Sequence, residues 1–449
     1  MTNIIALFHC LYPYLTRTTI RQLSRIIIAT LAMTGRVTML GISRWTGKGG
    51  SYRTVQRFFY TVIPWALVFW VFIRQHLLSH DDVYLMAGDE CVVTKSGKKT
   101  HGLDRFFSGL YGKPIPGVCF FTLSLISTQE RHSYPTMVEQ RVRTETEEVA
   151  AKARAKQIKT RKAKRRQPGR PKGSKNKDKT QVTLTPELQL VKMMVHKQLM
   201  LINGRIPIKY LVLDGHFGNN NALQMTRQCG LHLLSKLRRD AALYLPYDGP
   251  YRGNGPRQKY GSKIDYHNLP DQYLKETIVE EHIQTRIYQA TVLHKEFAGP
   301  LNVVVIAKTN LKTQARAHVI LFTSDLELSH AKVIDYYSLR FQIEFNFRDA
   351  KQYWGLEDFM NVKETAVTNA ANLSLFMVNV AHLLLRDFRK IQPSFGVLDL
   401  KAHYRGHKYV TETIKLLPAK PEPVLLAEIF DTVARIGSIH GAVPCPITS

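Results

Sequence analysis

The side chains best suited to chemistry in this 449-residue sequence are three acids that lie far apart along the chain. Asp89 follows the apolar run VYLMAG and Asp214 follows the apolar run IKYLVL, so each is expected at the end of a buried strand. Acids in such positions lie at the rim of an α/β sheet, where functional sites usually form. Taken singly, either acid is more readily explained as a turn or capping residue.

The third acid, Glu344, lies in a segment that the sequence predicts to be one long helix from residue 329 to about 353. At 100° per residue, an arc of about 60° holds four polar side chains of this helix: Tyr337, Arg340, Glu344 and Lys351. Phenylalanines flank this arc, which predicts a polar seam inside packed protein. Buried charges are costly unless they pair or bind ligands. An internal network of the two cations with the acid is therefore the structural alternative to a functional site.

The same four residues fit the pattern Y-x2-R-x3-E-x6-K without departure. This pattern resembles the YREK signature of DDE transposases from bacterial insertion sequences, in the insertion-sequence-four-like group. The segment GDECVVTKSGKKTHGLDRFFSGLYGK resembles the first-aspartate region of that group, and LVLDGHFGNN resembles the second. The resemblance covers residues 82 to about 360, whereas the two ends of the chain are similar only in general character.

The resemblance implies an α/β fold with a ribonuclease-H-like catalytic core and a β-rich insertion before the last catalytic helix. Under this resemblance, three acids would be both the catalytic residues and the metal ligands: Asp89, Asp214 and Glu344. Three further side chains would hold phosphates of the transposon end: Tyr337, Arg340 and Lys351. The implied activity is cut-and-paste transposition, in which the ends are cleaved and their 3′ hydroxyls are joined to target DNA.

Carboxylates suit the metal that such chemistry uses. Two Mg²⁺ ions about 3.5–4 Å apart can activate the attacking oxygen and relieve charge on the phosphorus. Mg²⁺ is a hard ion that takes few carboxylates and completes its octahedron with water and phosphate oxygens, and we expect Mn²⁺ to substitute for it. His216 lies two residues after Asp214. It is more readily a supporting or structural residue than a ligand, because imidazole suits softer metals.

The charge of the chain points to a polyanionic partner. Lys and Arg number 63 against 35 acids, which gives a formal net charge of +28 and favours double-stranded DNA. Residues 152–179 hold fourteen of these cations and one acid, so we expect a solvated insertion that orders on a phosphate backbone. Within it, QPGRPKG resembles the core of an AT-hook that would place Arg170 in a minor groove. A generic basic loop is the alternative.

Hydrophobic periodicity divides the chain into five regions. Residues 1–80 form an N-terminal helical DNA-binding domain, residues 81–239 the first part of the core, and residues 240–327 a β-rich insertion. Residues 328–390 contain the catalytic helix and the helix after it, and residues 391–449 form a C-terminal region that could dimerise. The first region contains a helix-turn-helix-like stretch. Its second helix carries an apolar stripe that includes Val62, and Arg53 and Arg57 are on the other side, where they could enter a major groove. An ordinary amphipathic helix is the alternative.

Several other classes of protein are disfavoured by the sequence. The strongest apolar run, residues 62–73, is too short to span a bilayer, which needs roughly 20 residues, so we expect a buried core helix. Five scattered cysteines without a C-x-x-C pair argue against a disulfide scaffold and a cysteine zinc site. A reducing cytoplasm is the compartment that fits these cysteines best. The resemblance to transposases implies a homodimer on DNA, associated with the bacterial nucleoid. Two alternatives stay open: another ribonuclease-H-like nuclease, and a catalytically inactive DNA-binding or regulatory protein.

Overall fold

The computed structural model of the protein describes residues 4–47, 49–109, 111–143, 147, 153, 178–251, 253 and 255–440. Arg170 and the hook-like sequence around it lie outside these residues, as does nearly all of the basic segment 152–179. The expectations for that segment therefore stay predictions.

Five helices form the N-terminal part of the chain: α1 Ile4–Leu7, α2 Arg17–Ala32, α3 Met39–Thr46, α4 Tyr52–Phe59 and α5 Trp65–His76. The helix-turn-helix-like stretch corresponds to α3 and α4. The side chain of Thr38 caps α3 by accepting from the Gly41 amide at 3.0 Å, and that of Ser51 caps α4. Helix α5 contains most of the twelve-residue apolar run and is almost wholly buried, as expected of a core helix.

The first part of the sheet comprises six strands: β1 Tyr84–Thr94, β2 Asp104–Ser108, β3 Lys113–Ser127, β4 His132–Arg141, β5 Tyr210–Leu213 and β6 His232–Leu237. Strand β3 pairs antiparallel with β1, β2 and β4, whereas β5 runs parallel to both β1 and β6. Helix α6, Pro186–Ile202, precedes β5, and helix α7, Asn220–Gln228, joins β5 to β6. This mixed α/β arrangement is consistent with the expected ribonuclease-H-like core.

The β-rich stretch before the last helices is present and extends the same sheet. It comprises β7 Leu243–Pro246, β8 Tyr260–Lys263, β9 Leu274–Glu280, β10 Ile283–His294, β11 Leu301–Asn310 and β12 Arg316–Thr323. Strand β12 pairs antiparallel with β6, through Ile320 opposite Leu237. The stretch is therefore continuous with the core, and the described residues form one sheet of twelve strands.

The expectation of one uninterrupted helix from residue 329 to about 353 is wrong. The structure has α8, His330–Leu339, and α9, Gln342–Gln352. At the junction the Arg340 amide donates to the Tyr337 carbonyl at 3.2 Å, and the Glu344 amide donates to the Phe341 carbonyl at 3.0 Å. These hydrogen bonds span three residues instead of four, which tightens the backbone locally. The assumed 100° per residue therefore does not hold across the junction.

The C-terminal part is helical, with α10 Glu364–Ile391, α11 Val397–Ile414 and α12 Pro423–Ala434. Among the described residues, α10 is the one helix long and apolar enough to cross a membrane, and 89% of its most apolar window is buried inside the protein. It packs on β4, α5, α9 and α11. The sequence had indicated a second apolar helix after the catalytic one, and the structure shows that α10 is the central core helix.

Asn369, a buried residue of α10, joins the N-terminal helices to the core. Its amide group donates to the carbonyls of Phe59 and Thr61, both at 2.8 Å. Its carbonyl oxygen accepts from the Trp65 indole at 2.7 Å. The three partners lie at the end of α4, in the turn that follows and at the start of α5. One side chain thus satisfies polar groups of the N-terminal helices that would otherwise be buried without partners.

We predict that Asn369→Ala lowers the free energy of unfolding by about 2–4 kcal/mol, because it leaves several buried polar groups unpaired. Denaturant unfolding followed by circular dichroism measures this change. Lys390→Ala, at an exposed position of the same helix, should change the free energy by about 0.5 kcal/mol or less. Equal effects of the two substitutions would contradict the structural role of Asn369.

Candidate active site

The two aspartates lie side by side because their strands are parallel neighbours. Gly88 of β1 is in register with Leu213 of β5, so the next residue of each chain segment is an aspartate. Asp214 directly follows β5 as expected, but the expectation that Asp89 ends its strand is wrong, because it is the sixth of the eleven residues of β1. Asp214 is held at the end of β5 by hydrogen bonds of its own. Its Oδ1 accepts from the His216 amide at 3.1 Å, and its carbonyl accepts from the Ser235 hydroxyl at 2.7 Å.

Arg340 brings the third acid to this pair. Its Nη1 donates to Asp89 Oδ2 at 2.7 Å, and its Nη2 lies 3.4 Å from Glu344 Oε1. The guanidinium is largely buried, with 13% of the side chain exposed, whereas Glu344 is 44% exposed. The position of Arg340 at the junction of α8 and α9 allows one cation to reach both an acid of the sheet and an acid of the helix.

The ionisation of Asp89 is influenced by both of the other acids and by Arg340. Burial raises the pKa of Asp89 to about 6, and Arg340 opposes this shift. The charges of Asp214 and Glu344 act on the same carboxyl group and raise its pKa. An acid with a raised pKa next to other acids is typical of a site that binds a cation or exchanges protons.

The donor chemistry of these residues fits a hard divalent cation, because all three supply carboxylate oxygens. Within the described residues, however, no three His, Cys, Asp or Glu side chains are grouped closely enough to hold a metal ion. The Arg340 guanidinium lies on Asp89 and also contacts Glu344. Metal binding at the three acids would require this guanidinium to move.

The other two residues of the predicted polar arc have different surroundings. Tyr337 lies beneath Arg340, whose guanidinium carbon is 5.8 Å from the centre of the ring, and burial raises the pKa of the phenol. Lys351 donates to the Val92 carbonyl at 3.1 Å and forms an ion pair with Glu357 at 3.2 Å. The salt-bridge alternative is thus half present, because Arg340 pairs with Glu344 but Lys351 pairs elsewhere.

The expectation that the polar arc is enclosed on both sides is wrong. Phe341 is 49% exposed and Phe345 is 37% exposed, and their rings meet edge to face at 5.4 Å. On the other side, Ile343 and Phe347 are buried as expected. The helix therefore presents Glu344 next to an exposed aromatic pair, and the site opens to solvent on that side.

His216 turns to a neighbouring ion network that the sequence did not reveal. Its Nε2 lies 3.3 Å from Glu187 Oε1, and this contact raises the pKa of the imidazole. Arg141 reaches Glu90 at 3.0 Å and Glu187 at 3.5 Å. These residues lie far apart in sequence with no motif spacing, so only the fold shows that they meet. The network supports the turn after Asp214, in keeping with a structural role for His216.

The two arginines predicted to contact DNA lie on helix α4. Arg53 and Arg57 are exposed, and Val55, Phe58 and Phe59 are buried on the opposite side, so the amphipathic pattern is confirmed. Val62 does not continue that apolar stripe. It is 84% exposed because α4 ends at Phe59. DNA binding by this helix stays a prediction.

A family model described as the DDE superfamily endonuclease matches residues 10–298 of the chain. The matched stretch contains Asp89 and Asp214 and ends before Glu344. Among curated proteins, none matches the chain.

We predict that divalent-metal affinity follows the ionisation of Asp89. Protons compete with a metal for carboxylate oxygens, so affinity should fall about tenfold per pH unit below 6 and level off above it. Titration calorimetry with Mn²⁺ between pH 5 and 8 measures this dependence.

The same titration of Mn²⁺ affinity against pH can be repeated with the Arg340→Gln variant. The positive charge of Arg340 lowers the pKa of Asp89, so its removal should move the midpoint of the pH dependence above that of the wild type. An affinity that is constant from pH 5 to 8 in the wild type, or an unmoved midpoint in the variant, would contradict the assigned site.

Proposed function

The chain belongs to the DDE superfamily endonucleases, and we propose that it is a transposase of the insertion-sequence-four-like group. Membership of this family implies nuclease- or transposase-type activity on DNA. The proposal adds cut-and-paste transposition: the protein binds the inverted repeats at the ends of its element, cleaves these ends and joins them to target DNA.

The observation that carries the proposal is the meeting of three acids around Arg340. Asp89 and Asp214 come from adjacent parallel strands, and Glu344 comes from α9, where it contacts the guanidinium that also holds Asp89. Burial and the charges of the other two acids raise the pKa of Asp89, so its charged form is costly to maintain in the protein. A constellation of this kind is favourable when a divalent cation binds it.

We propose that Asp89, Asp214 and Glu344 hold Mg²⁺, or Mn²⁺ in its place, during the reaction. When bound, two such ions would activate the attacking oxygen and offset the charge that develops at the scissile phosphate. The protein's own groups have complementary tasks. The two adjacent parallel strands hold the aspartates side by side, and the helix junction sets the distance between them and Glu344.

Arg340 has two roles in this proposal. In the structure it neutralises Asp89 and Glu344. On release from these acids, its planar guanidinium could bind a phosphate through two hydrogen bonds. Tyr337 lies under the guanidinium and limits the directions in which it can move. Phe341 and Phe345 are exposed next to Glu344, where a DNA base could stack on them.

The remaining elements of the proposal concern DNA binding and assembly. Arg53 and Arg57 on α4 would contact the end sequence, and Arg170 with the basic segment around it would add affinity for the phosphate backbone. Lys351 would contribute a phosphate contact if its ion pair with Glu357 opens. We also propose that two copies pair on DNA and that the protein acts in the cytoplasm, at the nucleoid.

We predict that Glu344→Gln abolishes metal-dependent cleavage while DNA binding persists. The substitution removes a negative ligand without changing the size of the side chain, so the rate should fall by more than about a hundredfold, exceeding the usual effect of residues that only support a ligand. The assay follows cleavage of a labelled fragment that carries the DNA flanking the gene, with Mg²⁺, and binding is measured by mobility shift.

The matched control is Glu428→Gln, which changes an exposed acid of α12 and should leave the rate unchanged. Unchanged cleavage by Glu344→Gln would refute the assignment of this acid. Cleavage by the wild type without preference for the element's ends would favour a nuclease of the same superfamily. An absence of cleavage by the wild type would favour a DNA-binding regulatory protein.

A further inference from the structure

The hairpin of β2 and β3 extends the sheet beyond the end of β1. Thr94, the last residue of β1, is opposite Gly117 of β3. The hairpin continues past this point through five paired positions, from Asp104 opposite Gly117 to Ser108 opposite Lys113. The end of the hairpin near its turn therefore does not pair with β1, and this two-stranded segment extends into solvent.

One face of this hairpin is apolar and exposed. Phe107 is 65% exposed and lies opposite Pro114, while Arg105 lies opposite Pro116. Phe106 and Ile115 point the other way and are buried. Pro114 and Pro116 are also exposed, so these two side chains and Phe107 form an apolar patch, and exposed apolar patches can mark interaction sites. Tyr111 near the turn is also 57% exposed.

The strand register places this apolar face on the same side of the sheet as Asp89. Asp89 is opposite Thr122 of β3, and side chains alternate between the two faces along a strand. Thr122, Pro116 and Pro114 are separated by even numbers of residues, so they share one face. Arg105 and Phe107 share it with their cross-strand partners.

The distance from the site suits a long ligand. Ten residues separate Thr122 from Gly112 at the turn, which corresponds to ~33 Å along an extended strand. That length equals about ten base pairs of duplex DNA, at 3.4 Å per pair. A duplex whose scissile phosphate lies at the three acids could therefore reach the hairpin in the direction in which β1 runs.

The base of the hairpin is tied to the rest of the site. The His101 amide donates to the Val362 carbonyl at 2.9 Å, in the loop that follows α9. On the other side Asp104 forms an ion pair with Arg143 at 2.8 Å. These contacts join the base of the hairpin to the loop after α9 and to the residues that follow β4.

The charged residues around the apolar face indicate which kind of partner it binds. Residues 95–116 contain five Lys or Arg and one acid, Asp104, which is already paired with Arg143. A hydrophobic protein partner would not require this excess of cations. A polyanion with apolar flat surfaces would match both features, and duplex DNA has both in its phosphates and its base pairs.

We propose that the β2–β3 hairpin is a DNA wedge, in which Phe107 and Pro114 enter the duplex between base pairs and Arg105, on the same face, contacts a flanking phosphate. Apolar side chains of this kind unstack bases and bend DNA when inserted into a groove. The inference rests on the proposed function for its ligand and extends it with a second contact that is separate from the three acids. Bending there would bring one end of the DNA into the site.

The test measures DNA unwinding, because an inserted wedge unwinds the duplex. The full-length Glu344→Gln protein is bound at saturation to a closed circular plasmid in EDTA, and a metal-independent topoisomerase then relaxes the free part of the circle. The wedge predicts a change in linking number per bound chain. Phe107→Ala in the same background should lose most of this change, and Phe107→Trp should restore it.

A second variant and a matched control make the result specific. Pro114→Ala should also reduce unwinding. Arg53→Ala, in α4, should weaken binding but leave the unwinding per bound chain unchanged at saturation. The assay needs no cleavage, so the two proposals can fail separately. If the three acids prove not to be catalytic, the wedge can still be tested, and if the wedge is wrong, the assignment of the three acids is unaffected. An unchanged linking number with the Phe107-intact protein, or equal unwinding by Phe107→Ala, would overturn the wedge.

Light scattering without DNA gives the remaining arm of the test. If the apolar face instead binds a second copy of the chain, Phe107→Ala would convert a dimer to a monomer and leave DNA unwinding unaffected. That combination would also overturn the proposal. An oligomeric state that is the same with and without the phenylalanine, together with Phe107-dependent unwinding, supports it.

Discussion

Carboxylates can be brought together in a partly buried site only when a positive charge compensates for their repulsion. In this protein the compensating charge is Arg340, which contacts Asp89 and Glu344 and lies within the electrostatic reach of Asp214. The position of that one guanidinium depends on the tightened turn between α8 and α9 and on Tyr337 beneath it. A single side chain thus links strand β1, the helix junction and the third acid.

The rest of the architecture holds that arrangement in place. Helix α10 packs on α9 and on β4, and its buried asparagines bind carbonyls of neighbouring elements, as Asn379 does with Pro135 at 2.8 Å. The ion network of Arg141 and Glu187 supports the turn after Asp214 through His216. The substrate contacts that we propose lie further out, on α4, on the exposed pair Phe341 and Phe345, and on the β2–β3 hairpin. Rigid support near the acids and exposed cationic or aromatic groups around them suit a large, charged substrate.

The sequence predicted the parts of the site that depend on local pattern. The apolar run before Asp214 correctly predicted its position directly after a strand, and the motif correctly placed Glu344 on a helix. The same reasoning was wrong for Asp89, because β1 continues for five residues beyond it. The sequence could not predict that the helix is interrupted at Arg340, because α8 and α9 have the same apolar periodicity and only tertiary contacts tighten the turn between them. The exposure of Phe341 and Phe345 depends on what packs over α9, which spacing does not reveal. The network of Glu90, Arg141, Glu187 and His216 is formed by residues distant in sequence. The exposed face of the hairpin follows from strand register, which is also a property of the fold.

The central claim is that the Arg340 guanidinium supplies the positive charge that a bound metal would supply, and that it moves away from the acids when the metal binds. A crystal structure of the protein grown with Mn²⁺, with anomalous scattering recorded for the ion, tests this claim most directly. The account predicts an anomalous peak about 2.1 Å from carboxylate oxygens of Asp89 and Asp214, with Glu344 turned toward it and the Arg340 guanidinium withdrawn. A peak at other residues, or Arg340 still in contact with both acids at saturating Mn²⁺, would contradict it.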